Sequence, residues 1–282
     1  MADKNVNRAF GHVIDKNDNG EYTVWGTRHD DDCGSKLYHG WGIDTAMKRL
    51  LVALLFLLVS QTAYGAVAFD AAISISGDEV SSLEIVGFTT SGSDRLLTAC
   101  VPNNEITFLT GVTYNAISLT HVITADTTDF VWVPLYRLVD PTVGSNTITA
   151  SFSSNVIAAL GVMSFNGVHQ SVPLGTPTSD AGVVTDINTV VTSAADEIVA
   201  DCFAYKHDTL QATLGADQTE RWSEPSIAGW WGQGSTKAGA ASVTMERTWD
   251  SSFEAAGIVA VGIKPSGGAA PSGVTRRVIV VE

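Results

Sequence analysis

Thr90-Ser91-Gly92-Ser93-Asp94-Arg95-Leu96-Leu97-Thr98-Ala99-Cys100-Val101 decides how the rest of this chain is read. It is the end of one β-rich run, a turn of small residues closing on Asp, and an apolar run too short for a helix. The same grammar recurs in Thr192-Ser193-Ala194-Ala195-Asp196-Glu197-Ile198-Val199-Ala200-Asp201-Cys202-Phe203. Two related units, each too small to close a core alone, predict paired Greek keys and hence a jelly-roll-like arrangement. A chance likeness between two β-hairpins is the competing reading, and the sequence leaves both open.

Outward from these stretches, short β-rich runs separated by Gly, Ser, Asn, Asp and Pro clusters fill the chain. Residues 67–76, 83–90, 96–101, 109–114, 118–124, 130–138, 147–152 and 156–165 read as strands, as do 183–191, 197–205, 219–222, 241–249 and 255–263. Several alternate with period two, and helical periodicity is almost absent. In Phe130-Val131-Trp132-Val133-Pro134-Leu135-Tyr136 both faces are apolar, which suits a central or interfacial strand, whereas Pro134 argues for an edge or a bulge. The expectation is an all-β chain forming a single large antiparallel β-sandwich over residues 66–265, jelly-roll-like, with two pseudo-repeated halves.

Met47-Lys48-Arg49, the apolar run 50–59 (LLVALLFLLV) and Ser60-Gln61-Thr62-Ala63-Tyr64-Gly65 have the layout of a secretory signal peptide, 47–65, with cleavage between Gly65 and Ala66. The run falls short of the roughly 20 apolar residues that span a bilayer, so no membrane insertion is expected after cleavage. Residues 1–46 are a polar extension, read as lying upstream of the functional protein; within it Asp15-Lys16-Asn17-Asp18-Asn19-Gly20 opens like a calcium loop. Gly26 stands where the bidentate Glu belongs, so the segment reads as a turn. Residues 266–273 are a flexible linker by composition, and the tail ending in Arg276-Arg277-Val278-Ile279-Val280-Val281-Glu282 is a candidate strand for homo-oligomer formation. With 16 basic and 30 acidic residues and a formal net charge of −14, the chain repels phosphate backbones, which argues against nucleic acid as a partner. Cys33 falls in the extension. Cys100 and Cys202 are expected as buried free thiols; a bridge would need their Cα atoms within about 7 Å.

For binding, the candidates are Trp222, Trp230 and Trp231. The last two stand in the Gly-rich Ala228-Gly229-Trp230-Trp231-Gly232-Gln233-Gly234, read as a loop, where neighbours point opposite ways. An exposed Trp stacks on sugar rings or partner side chains; the plainer reading is that both cap the sandwich. Trp132 and Trp249 sit in strands, as core or sheet-face residues. Asp126 and Asp129 flank a turn and are candidate calcium ligands. His121, His169 and His207 show no zinc spacing, His207-Asp208 looks like loop, and no Gly-x-Ser-x-Gly elbow occurs. These absences argue against an enzyme.

Val162-Met163-Ser164-Phe165-Asn166-Gly167-Val168-His169-Gln170-Ser171-Val172-Pro173-Leu174, the runs Gly215–Trp222 and Gly234–Met245, and the closing Ala260-Val261-Gly262-Ile263-Lys264-Pro265 resemble a secreted β-sandwich module. That module is widespread in extracellular proteins of environmental bacteria and related viruses. The resemblance covers about residues 70–265 and implies a β-sandwich outside the cell, with no assigned chemistry. The function expected is a secreted, non-catalytic module that binds carbohydrate or a cell surface. A structural subunit of a virion or surface assembly is the alternative, and a polysaccharide-active enzyme the second alternative.

Overall fold

In the computed structural model, residues 66–267 are described except 106–107, 128–130, 207–210, 228 and 250–253; towards the N-terminus, the backbone of two short strands is described as well. The signal peptide 47–65, the tail 268–282, Asp129 and His207-Asp208 lie outside the described residues. The chain divides into two compact units, Met1–Ala63 and Tyr64–Glu282. In the first, β1 (His12–Lys16) and β2 (Tyr22–Gly26) pair antiparallel.

The second unit is built from strands: 73% of the described residues are strand and 1% helix, with antiparallel sheets. Among the described residues no helix is long and apolar enough to cross a membrane. Its first half comprises β3 (Ala68–Thr90), β4 (Leu96–Cys100), β5 (Leu109–Tyr114), β6 (Ile117–Ser118), β7 (Thr120–Thr127), β8 (Val131–Val139) and β9 (Gly144–Asn166). They form one seven-stranded, nearly barrel-shaped sheet, ordered β6-β5-β9-β4-β8-β7 with β3 on the other side of β9. The second half comprises β10 (Thr178–Val184), β11 (Asp186–Val191), β12 (Ile198–Lys206), β13 (Thr213–Leu214), β14 (Thr219–Ile227), β15 (Trp230–Ala238), β16 (Val243–Thr248) and β17 (Glu254–Ile263). These form a five-stranded sheet β10-β17-β12-β15-β14 and a three-stranded sheet β11-β16-β13.

Two expected strand pairs are fused. The Gly77-Asp78-Glu79 run reads as a turn, but β3 passes through it as a bulge between Gly77 and Val80, with Glu79 at φ 51°. Likewise 147–152 and 156–165 are one strand, β9. Conversely, the run 183–191 is split at Thr185, and its parts, β10 and β11, join different sheets. A bulge absorbs the residues that local sequence marks as a break, and only pairing with β9 reveals it.

β4 and β12 are buried on both faces, which is why each reads as a nearly continuous apolar run. Along β4, Leu97 and Ala99 enter one apolar cluster with Ile148, Ala150 and Leu160, while Leu96 and Cys100 enter another. Along β12, Val199, Phe203 and Tyr205 join Ile187 and Met245, while Ala200, Cys202 and Ala204 enter the cluster that already holds Cys100. That shared cluster cements the two halves. In its middle Cys100 and Cys202 are joined by a disulfide, Cα atoms 6.0 Å apart, not the free thiols expected from the sequence. The correction follows from placement: both cysteines point into one cluster, a proximity that residues so far apart in sequence do not advertise. The turn before β4 forms as expected, with Gly92 and Asp94 at positive φ, a region Asp tolerates better than most residues. Arg95 pins this turn by donating to Gly92 O and Pro141 O and pairing with Asp140.

Candidate functional site

The most promising surface is carried by β8, whose alternation divides its residues cleanly. Val131, Val133 and Leu135 enter the shared core, while Trp132, Pro134 and Tyr136 face the other way. Pro134 is neither at an edge nor in a bulge of β8, because that strand lies between β4 and β7. Val101 N donates to Pro134 O, but proline has no N–H to return. Asn103 Nδ2 donates to Val101 O at 2.9 Å instead, supplying the carbonyl with a partner. The bulge is carried by β7, between His121 and Ile123.

Between β8 and β5 lies a groove of about 250 Å³ lined by Leu109, His121, Thr124, Trp132, Pro134 and Tyr136, with Asn103 at its floor. A second depression of about 440 Å³ adjoins it, sharing His121 and Tyr136 and edged by Thr110, Thr113, Ser118 and Ser151. Trp132 and Tyr136 are half-buried and His121 is exposed. The His121 and Tyr136 rings meet edge to face at 5.3 Å, and His121 Nε2 lies 2.7 Å from Thr124 Oγ1. Burial pushes the Tyr136 phenol above its ordinary value, so it stays neutral. None of the described residues lining either depression is Asp, Glu, Lys or Arg.

The second half has a matching place that is filled. Cys100 pairs with Leu135 as Cys202 pairs with Gly234, and Asn103 bridges to Trp132 as Tyr205 pairs with Trp231. β14 bulges between Glu220 and Trp222 at the point where β7 bulges between His121 and Ile123. His121 therefore corresponds to Glu220, Thr124 to Ser223, Trp132 to Trp231 and Asn103 to Tyr205. Tyr205 is fully buried, stacked on Phe203 at 5.3 Å and packed against Trp249 at 5.2 Å. Gln211 donates across to Glu220 (2.8 Å) and Ser223 (3.1 Å), and Gln233 donates to Ala212 O (3.3 Å). A tyrosine ring and a bridging amide thus occupy what Asn103 and Leu109 leave open in the first half.

The tryptophans singled out from the sequence lie elsewhere. Trp222 is 4% exposed, pressed against Gly161 and Gly234, where a Cβ would collide with its indole, and close to Gly232, where one would be a tight fit. Trp230 is 9% exposed and borders a crevice of about 10 Å³, too small for a sugar. Trp231 is half-buried against the core of the second half, its Nε1 without a hydrogen-bond partner among the described residues. The stretch Trp230–Ala238 is strand β15 and not a loop; its glycines make room for Trp222. Burial leaves Trp222 and Trp230 no ring face for a ligand. Asp126 is exposed on β7, paired in register with Trp132; among the described residues no three His, Cys, Asp or Glu side chains gather as a metal site. His121 and Trp132 escaped the sequence reading as a pair because they line one groove only when β7 lies beside β8. Trp132, Pro134 and Tyr136 at every second position were the legible hint.

Comparisons with known proteins find no matching family, no matching curated protein and no matching solved structure.

Proposed function

We propose that this chain is a secreted, non-catalytic binding module that attaches to carbohydrate at an extracellular surface, through the groove between β5, β7 and β8. We read its fold as a β-sandwich of two related halves, supported by the matched strand order and the matched bulges of β7 and β14. The observation that carries the functional reading is the aromatic-lined groove whose described lining holds no Asp, Glu, Lys or Arg: a few polar groups among apolar and aromatic walls is the usual make-up of a small-ligand site. The leader-like segment and the Cys100–Cys202 bridge agree with an oxidising compartment. A glycan array and polysaccharide pull-downs with the secreted protein test it; binding that Trp132→Ala weakens is expected, and no retention on any glycan would defeat it.

The second reading, a subunit of a virion or surface assembly, draws on exposed Val86, Val183 and Val190, on strands β3, β10 and β11. Sedimentation of the protein with and without residues 268–282 separates the two: a concentration-dependent assembly lost with the tail favours this alternative.

A further inference from the structure

Resting on the carbohydrate reading above, we infer that the groove takes an uncharged glycan chain of at least three sugar rings. The chain lies along β8, with Trp132 and Tyr136 as stacking platforms and the Thr124–His121 edge as its hydrogen-bonding wall. Four features of the groove point to this ligand class.

The first is shape. Two depressions adjoin and share His121 and Tyr136, so the surface is elongated and divided by a ring pair, which suits a repeating ligand better than a compact one. Trp132 and Tyr136 stand four residues apart on one face of an extended strand, roughly 13 Å at about 3.3 Å per residue. Two units of one chain, separated by at least one intervening unit, can therefore meet both rings. The second is charge. The described lining has no fixed charge, and the chain as a whole carries −14. A polyanion would meet repulsion at long range and no cation in the described lining, and exposed Asp126, in register with Trp132 but outside that lining, adds to the repulsion.

The third is polarity. Thr110, Thr113, Ser118, Ser151 and Thr124 offer hydroxyls beside the aromatic faces. A sugar ring has the complementary make-up, with flat C–H faces and an equatorial belt of hydroxyls that donate and accept. The fourth comes from the second half. There, the positions matching His121 and Thr124 are Glu220 and Ser223, and both accept from the Gln211 amide. The protein itself thus places a neutral hydrogen-bonding group against that wall, next to the matching Trp231. In the first half Leu109 approaches instead, and His121 and Thr124 bond each other at 2.7 Å. A sugar hydroxyl can take the place that the amide takes in the other half.

The test is calorimetric titration of the full chain with neutral β-linked glucose, xylose and mannose oligosaccharides of one to six units, with polygalacturonate and with a proline-rich peptide. Trp132→Ala, Tyr136→Ala and Asn103→Tyr are titrated alongside, circular dichroism confirming that each is folded. Asn103→Tyr fills the groove by the device the second half uses, and Trp132→Phe serves where Trp132→Ala fails to fold. The expected result is binding of a neutral series, at least tenfold stronger for three units or more than for one. Each of Trp132→Ala and Asn103→Tyr then weakens it at least tenfold. Neutral glycan binding that neither variant changes overturns the groove assignment and leaves the carbohydrate reading standing. Preference for polygalacturonate overturns the uncharged class alone. Binding of the proline-rich peptide in the groove, with no glycan bound, overturns this inference and the carbohydrate reading together.

Discussion

The two halves of the larger unit share a strand order and a bulge, yet solve the same packing problem with different chemistry. In the first half, the core beneath β4 is apolar: Leu97, Ala99 and Val101 meet Val112, Ala150 and Leu160. In the second, the residue corresponding to Ala99 is Asp201, buried and clasped by Arg247 through Nη1–Oδ2 at 2.9 Å and Nη2–Oδ1 at 3.0 Å. Ser235 donates to Asp201 from both its backbone and its hydroxyl, and Arg247 Nε donates to Gln233 Oε1. Both side chains of the pair are 0% exposed. Such a network stabilises little compared with an apolar replacement, but it tolerates only one register of β16 over β12 and β15. The first half secures register differently, through two 23-residue strands, β3 and β9, paired along nearly their whole length. The half with long continuous strands keeps an open groove. The half with short, separated strands fills its groove with Tyr205, Trp249 and polar bridges.

Breaking the ion pair is expected to have the largest effect. Arg247→Met leaves Asp201 buried without its partner and should lower the unfolding free energy by about 3–5 kcal/mol, measured by guanidinium denaturation. Asp201→Ala combined with Arg247→Met imitates the apolar half and should recover most of that loss. A double variant no more stable than the single one would mean that the halves are not interchangeable at this position.

Next in size is the bridge that ties corresponding strands together. It spans a sequence separation of 102 residues, and Cys100→Ala with Cys202→Ala should cost about 2–4 kcal/mol through the gained freedom of the unfolded chain. Calorimetry then asks whether the halves still melt as one; a single transition means that the shared cluster alone couples them.

The smallest effect concerns acid. Partial burial raises the Asp70 carboxyl, but hydrogen bonds from the Ser91 hydroxyl, the Ser164 hydroxyl and Ser91 N outweigh it and hold the group below its ordinary 3.8. With the folded value depressed, the contribution is fully present above the unfolded value and is lost as pH falls through the lower folded one. Asp70→Asn should therefore reduce stability near neutral pH and flatten the acid limb of the stability–pH curve below about pH 4. An unchanged acid limb would show that these contacts do not persist in solution.

Much of this architecture can be read from local residue pattern. The turn at Ser91–Asp94, the two-faced burial of Leu96-Leu97-Thr98-Ala99-Cys100 and the kinship of the stretches around Cys100 and Cys202 are all visible in composition and alternation. The site was less legible. Gly-rich sequence around Trp230 suggests an exposed loop, but those glycines exist to admit Trp222. Asn103 looks like a turn residue, yet its amide stands in for the proton that Pro134 lacks, and its small size opens the groove.

The sequence alone determined that the chain after the leader-like segment is built of strands, because period-two alternation and turn residues act on neighbours along the backbone. Only the tertiary structure decided that Cys100 meets Cys202, that β3 and β9 run on through their apparent breaks, and that Trp132 rather than Trp222 lines a groove. Those outcomes depend on pairing partners tens of residues away and on the volume of a single side chain, Asn103 in one half against Tyr205 in the other.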